Sequence, residues 1–132
     1  MEWVRTGFLA FSPDGRWAVG DSRHEIRVFS LLGDQSYQIS AGLGAEPLWC
    51  SRSGELFYRQ GPRWFAAKVR FEPEFQFDPP RLVTQTTSFI DTLGYSYAVS
   101  PDGQRILTLK RTRELPRDRI HVIHNWTGLL KP

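Results

Sequence analysis

Few side chains in this sequence are of a type that could do chemistry. They are His24, His121 and His124 as metal ligands or bases, Cys50 as a nucleophile, and Asp14 with Asp102 as a carboxylate pair. A metal centre needs several ligands converging on one point. His121 and His124 stand three apart in a stretch read as a strand, so they face opposite sides and cannot share an ion. His24 falls in a hairpin turn elsewhere, and all three read as structural or surface histidines. Cys50 follows Trp49 at the end of a predicted strand, with no histidine or cationic surroundings in view, and reads as a buried, inert thiol. The aspartates occupy matching places in a repeated motif, as do Ser12, Ser51 and Ser100, which marks them as turn residues. The sequence therefore offers no catalytic residue, no metal ligand and no cofactor site, and the reading is non-enzymatic.

The motif is the key to the elements. Phe11-Ser12-Pro13-Asp14-Gly15-Arg16-Trp17 recurs as Val99-Ser100-Pro101-Asp102-Gly103-Gln104-Arg105. A degraded copy, Cys50-Ser51-Arg52-Ser53-Gly54-Glu55-Leu56, lies between them. Taking Ser12, Ser51 and Ser100 as equivalent, the spacings are 39 and 49 residues, near the ~40–50 residue periods of propeller repeats. Pro13 and Pro101 preset φ, Asp14 and Asp102 bond within the turn, and Gly15, Gly54 and Gly103 supply positive φ. Such a turn is expected to close a three-residue hairpin with a bulge. Fourteen residues beyond the first two serines stand Ile26 and Phe65, and the next same-face positions read Val28 and Ala67. The third copy reaches Ile120 and Val122 after an insertion.

Three units follow, spanning residues 7–41, 46–86 and 94–126. Strands are expected at Phe8–Phe11, Trp17–Asp21, Ile26–Leu31 and Tyr37–Ser40 in the first. The second gives Pro47–Cys50, Leu56–Arg59, Trp64–Phe71 and Arg81–Gln85, with Glu72 to Pro80 a loop or extended arm. The third gives Tyr95–Val99, Arg105–Lys110 and Ile120–Asn125, without a fourth. No apolar pattern of helical period spans ten residues, so helix is disfavoured.

Composition agrees. Aromatics are 14% of the 132 residues, an excess that favours strands, and eleven Gly with nine Pro suit many short turns. A single cysteine excludes an intrachain disulfide, and no apolar run approaches the ~18 residues of a membrane span. The N-terminus lacks a charged region followed by an apolar run, and a cytoplasmic protein without membrane contact is expected. A net charge of +3 does not by itself imply nucleic acid.

Ser-Pro-Asp-Gly followed by an apolar strand resembles the WD40-like repeat of bacterial TolB-like β-propellers. The stretch from Tyr95 to Pro132, with Asn125-Trp126 and Leu129-Leu130 after its last strand, is similar to the final blade of a group found behind serine/threonine kinase domains. The resemblance implies an all-β fold of about three four-stranded antiparallel blades, and a protein-binding role. Closed propellers usually have 4–8 blades, so three make half of a six-bladed ring.

An arc of three blades leaves one raw face at each end. Trp17, Trp49 and Trp64 are assigned to the core. Trp3, Val4, Trp126, Leu129 and Leu130, near the termini, are assigned to an interface through which a homodimer completes the ring. The primary reading is thus a binding or scaffold module acting on another protein. The alternatives are a propeller accessory to a hydrolase or kinase-linked protein, and a weak nucleic-acid binder using the basic insertion 110–119. Interleaved acids and Pro116 favour a solvated loop for that insertion.

Overall fold

The computed structural model describes residues 6–86 and 94–109. Among them the chain is all β, with eleven strands in three open antiparallel sheets and no helix.

The first sheet is a meander of β1 (Thr6–Phe11), β2 (Trp17–Ser22), β3 (Glu25–Ser30) and β4 (Ser36–Gln38), hydrogen-bonded in that order. The second begins the same way with β5 (Ala45–Cys50), β6 (Glu55–Gln60) and β7 (Arg63–Arg70). Its outer edge is split. β8 (Gln76–Phe77) pairs with one end of β7 and β9 (Arg81–Gln85) with the other. Pro79 and Pro80 lie between them, and a residue without an N–H cannot continue a ladder. β10 (Tyr97–Val99) and β11 (Ile106–Thr108) form the third sheet. The expected strand Ile120–Asn125 lies outside the described residues.

The expected arm from Glu72 to Pro80 is corrected in part. Gln76 and Phe77 join the sheet, and Phe75 is buried. Phe75 turns back onto the first sheet, its ring centroid 4.9 Å from that of Trp17 and 5.0 Å from that of Tyr37. An aromatic among prolines finds more apolar surface by folding inward than by extending into water.

The sheets stack face to face around two cores. Trp17, Val19, Ile26 and Val28 of the first sheet meet Leu56, Tyr58, Ala67 and Val69 of the second. Cys50, Phe57, Trp64 and Ala66 on the opposite face of the second sheet meet Tyr97 of the third, with Val99 and Ile106 beside it. Leu56, Phe57 and Tyr58 are consecutive and all buried. Because both faces of β6 are covered, Leu56, Phe57 and Tyr58 run apolar with no alternation. Each fully buried side chain of this size contributes about 1.5–3 kcal/mol.

Trp17, Trp49 and Trp64 all sit in or against these cores, as expected. Two-residue loops join the central strands of the first two sheets. Arg23 and His24 both adopt positive φ in one, and Gly61 leads Pro62 in the other, the geometries whose twist matches flanking strands.

The repeated turns are present, with a shift. Ser12 N–H donates to the Trp17 carbonyl at 2.8 Å, and Ser100 N–H to that of Arg105 at 2.8 Å. Cys50 pairs with Glu55. Four residues separate the partners each time, rather than the three expected, and Cys50, not Ser51, stands at the place of Ser12 and Ser100. The downstream equivalence moves by one as well. Ile26 pairs with Asp21, and Trp64 holds the matching place opposite Arg59, while Phe65 pairs with Tyr58 on the other face. Ala66 likewise replaces Ala67 as the counterpart of Val28.

Candidate functional site

The turn residues are the first of the sequence-predicted sites. Ser12 donates its hydroxyl to Asp14 at 2.5 Å, and Asp14 accepts from the Arg16 N–H at 3.1 Å. Ser100, Asp102 and the Gln104 N–H repeat this at 2.6 and 3.0 Å. The hydroxyls also accept the N–H of Trp17 and Arg105. Pro13 and Pro101 open the two loops, and Gly15, Gly54 and Gly103 have φ of 70°, 66° and 72°. Gly54 is fourth in its loop where the other two are third.

Asp102 is held below the usual carboxylate range by the Ser100 hydroxyl first and the Gln104 N–H second. At Asp14 burial pushes the other way, but the Ser12 and Arg16 hydrogen bonds prevail and lower it. These carboxylates are fixed acceptors of local turns, on different hairpins.

Cys50 is buried, as expected. Its thiol does not close its own turn; it lies 3.3 Å from the Pro101 carbonyl and 3.8 Å from that of Ser100. The second turn thus leans on the third. His24 is exposed at its hairpin tip. His121, His124 and the basic insertion 110–119 lie outside the described residues, as do Trp3, Val4, Trp126, Leu129 and Leu130. Among the described residues no three or more His, Cys, Asp or Glu side chains gather closely enough to hold a metal ion.

The most concentrated polar cluster is one the sequence reading missed, where the first strands of the three sheets converge. β1 and β5 each carry an irregularity at the matching place, between Thr6 and Leu9 and between Ala45 and Leu48. Such bulges turn a side chain off the regular alternation. At Glu46 the backbone is left-handed, φ 56°, a rare state for so long a side chain. Its carboxylate is only 2% exposed. It accepts from Arg59 Nε, from the Ser96 N–H, and from the Ser96 hydroxyl at 2.9 Å.

Around this pair, the Tyr97 hydroxyl donates to the Glu46 carbonyl at 2.7 Å and the Tyr95 hydroxyl to the Pro47 carbonyl at 2.8 Å. Tyr95 also stands edge-on to Phe8, centroids 4.7 Å apart. Burial, then the charges of Asp21 and Glu46, push the Tyr95 phenol up to about 12. Burial first and Glu46 second raise Tyr97 as well.

Chemically this is a brace. Glu46 has its oxygens occupied by donors and no exposed edge to offer a substrate, and both phenols are kept protonated. The cluster binds the second sheet to the third and reaches Phe8 of the first. A signal for it existed: Glu46 interrupts an apolar strand, and Arg59 ends the apolar run of β6, thirteen residues on.

Clefts flank the stack among the described residues. One of about 420 Å³ lies beside the brace, between His24, Gly44, Arg59 and Gln60. Another, of about 380 Å³, is walled by Trp17, Tyr37, Phe71 and Phe75 with Arg16 at its rim. Arg16 is already paired with Asp14 and Glu72. Comparison of the chain with protein-family models, with curated proteins and with solved structures returns no match.

Proposed function

We propose that the chain is a non-enzymatic β-propeller module of the WD40-like and TolB-like type, which binds another protein and completes its ring by self-association. The observation that carries this is the repetition. Antiparallel sheets with the same closing turn stack face to face, and the second sheet is covered on both sides. A blade is a sheet whose two faces are both interfaces, and that is the condition the second sheet meets. The non-enzymatic part rests on the use of each candidate group. The aspartates serve turns, Cys50 serves packing, and Glu46 with Arg59 serves the brace.

The test is the mass of the purified chain in solution. A ring of two chains has twice the 15.3 kDa chain mass. A folded monomer at high micromolar concentration rejects ring closure. Hydrolase turnover that persists through purification and disappears with a point substitution rejects the non-enzymatic reading.

A further inference from the structure

The closing pairs of the three turns fix which residues are equivalent, and equivalence exposes a gap at each end of the stack. Phe11, Trp49 and Val99 each stand just before a closing residue, on the face toward the preceding sheet. Trp49 packs into the first core and Val99 into the second. Among the described residues no sheet precedes Phe11, which is 65% exposed. Leu9, Pro47 and Tyr97 repeat the pattern: Pro47 and Tyr97 are buried, whereas Leu9 is 48% exposed.

On the opposite face, Val19, Phe57 and Leu107 are equivalent, each two residues beyond the second closing residue. Val19 and Phe57 are fully buried against the sheet that follows, while Leu107 is 38% exposed. A residue at these positions is buried or partly buried wherever a neighbouring sheet stands.

On this face of the first sheet Ala18 lies between Phe11 and Phe29, and Gly20 between Leu9 and Arg27. Ala18 and Gly20 are buried between these taller neighbours, so Phe11 and Leu9 form the exposed part of the face.

Building on the self-association proposed above, we infer that the exposed Leu9–Phe11 face of the first sheet seats the Ala98–Leu107 face of the third sheet of a second copy, joined head to tail. The contact continues the junction already made twice within the chain, in the same order of faces. Phe11 of one copy meets Leu107 of the other and Leu107 meets Phe11, at two seams related by a twofold axis, so Phe11 never meets Phe11. The same operation applied twice closes two copies on each other.

The experiment uses the full chain and two single variants, Phe11→Glu and Leu107→Glu, with sedimentation as the readout. Both positions are exposed within one copy, and an unchanged circular dichroism spectrum with a cooperative urea transition checks that each variant folds; the midpoint itself falls where a dimer is lost. Each alone should weaken the dimer about thirtyfold or more, the loss typical of a central contact residue. Mixed together they should associate again, because the Leu107 face of one variant and the Phe11 face of the other form one intact junction. Recovery on mixing supports the inference. A dimer lost with Phe11→Glu and untouched by Leu107→Glu means like faces meet, and overturns it. A dimer indifferent to both variants overturns the seam and leaves self-association standing. A monomeric parent chain overturns both, and assigns the Leu9–Phe11 face to the chain's own remaining residues or to another protein.

Discussion

Ser96 gives both its backbone N–H and its hydroxyl to the carboxylate of Glu46, fifty residues earlier. Arg59 gives its Nε to the same carboxylate. One buried acid therefore fixes the strand leading into the third sheet against the first strand of the second. Ser96→Ala removes one hydrogen bond to a charge and should cost about 1.5–3 kcal/mol in urea unfolding. Glu46→Ala removes one partner of a buried pair and should cost about 3–5 kcal/mol. Because φ at Glu46 is left-handed, Glu46→Gly should be no worse than Glu46→Ala, against the usual order. A Glu46→Ala loss no larger than that of Ser96→Ala would reduce the brace to an ordinary hydrogen bond.

The turn glycines should not be equal. All three have positive φ, and alanine there costs on the order of 1 kcal/mol from backbone strain alone. At Gly15 a Cβ meets nothing within 4 Å, so strain is the whole cost. At Gly103 it would lie 2.8 Å from the Ser53 Cβ and 3.4 Å from the Cys50 sulfur. Gly103→Ala must therefore also part the second and third turns, and should lower the urea midpoint clearly more than Gly15→Ala. Equal losses would show that the turns do not lean on each other in solution.

What could be read beforehand follows from what each residue does locally. β9 falls where expected because Arg81–Gln85 is bounded by proline and has nothing else to do. The glycine turns were legible since only glycine suits their φ. The one-residue shift at Cys50 was not, because Ser51 carries the expected side chain while the hairpin is closed by its neighbour. Nothing local marks the inward turn of Phe75, because its partners, Trp17 and Tyr37, are remote in sequence. Glu46 and Arg59 have the character of ordinary surface residues until a bulge turns one of them inward. Pairings of this kind belong to the stacking of sheets, and local pattern is silent about them.

Acid should loosen the first and third turns through their aspartates. Both carboxyls are lowered in the folded chain. A lowered acid contributes stability above its unfolded value, about 3.9, and that contribution fades as pH falls through the folded value. The urea midpoint should therefore drop more steeply with acid in the parent chain than in Asp102→Asn, which has no carboxyl to protonate. Ser100→Ala removes the first cause of the Asp102 shift and should flatten the same limb. Parallel acid limbs in all three proteins would show that the turn carboxylates are not linked to folding.

Alkali should part the third sheet from the second, and the sign runs opposite to the acid case. Tyr95 is pushed up to about 12 and Tyr97 is raised too, burial being the first cause at both. A phenol whose folded value is raised contributes stability fully below the unfolded value, about 10, and loses it as pH climbs through the folded one. Ionised, each phenol would bring a negative charge near Glu46 and lose the proton it donates, Tyr95 to Pro47 and Tyr97 to Glu46. Tyrosinate absorbance should thus rise late, in step with the fluorescence change of Trp64, whose ring lies 6.0 Å from that of Tyr97. Tyr95→Phe with Tyr97→Phe gives up both hydrogen bonds and should be less stable at neutral pH, yet lose less between pH about 10 and 12. The limb will not become flat, since Tyr58, also pushed up to about 12 by burial, remains on the other face of the second sheet. If the double variant and the parent chain decline in parallel through that range, the two phenols do not report on the junction between the second and third sheets.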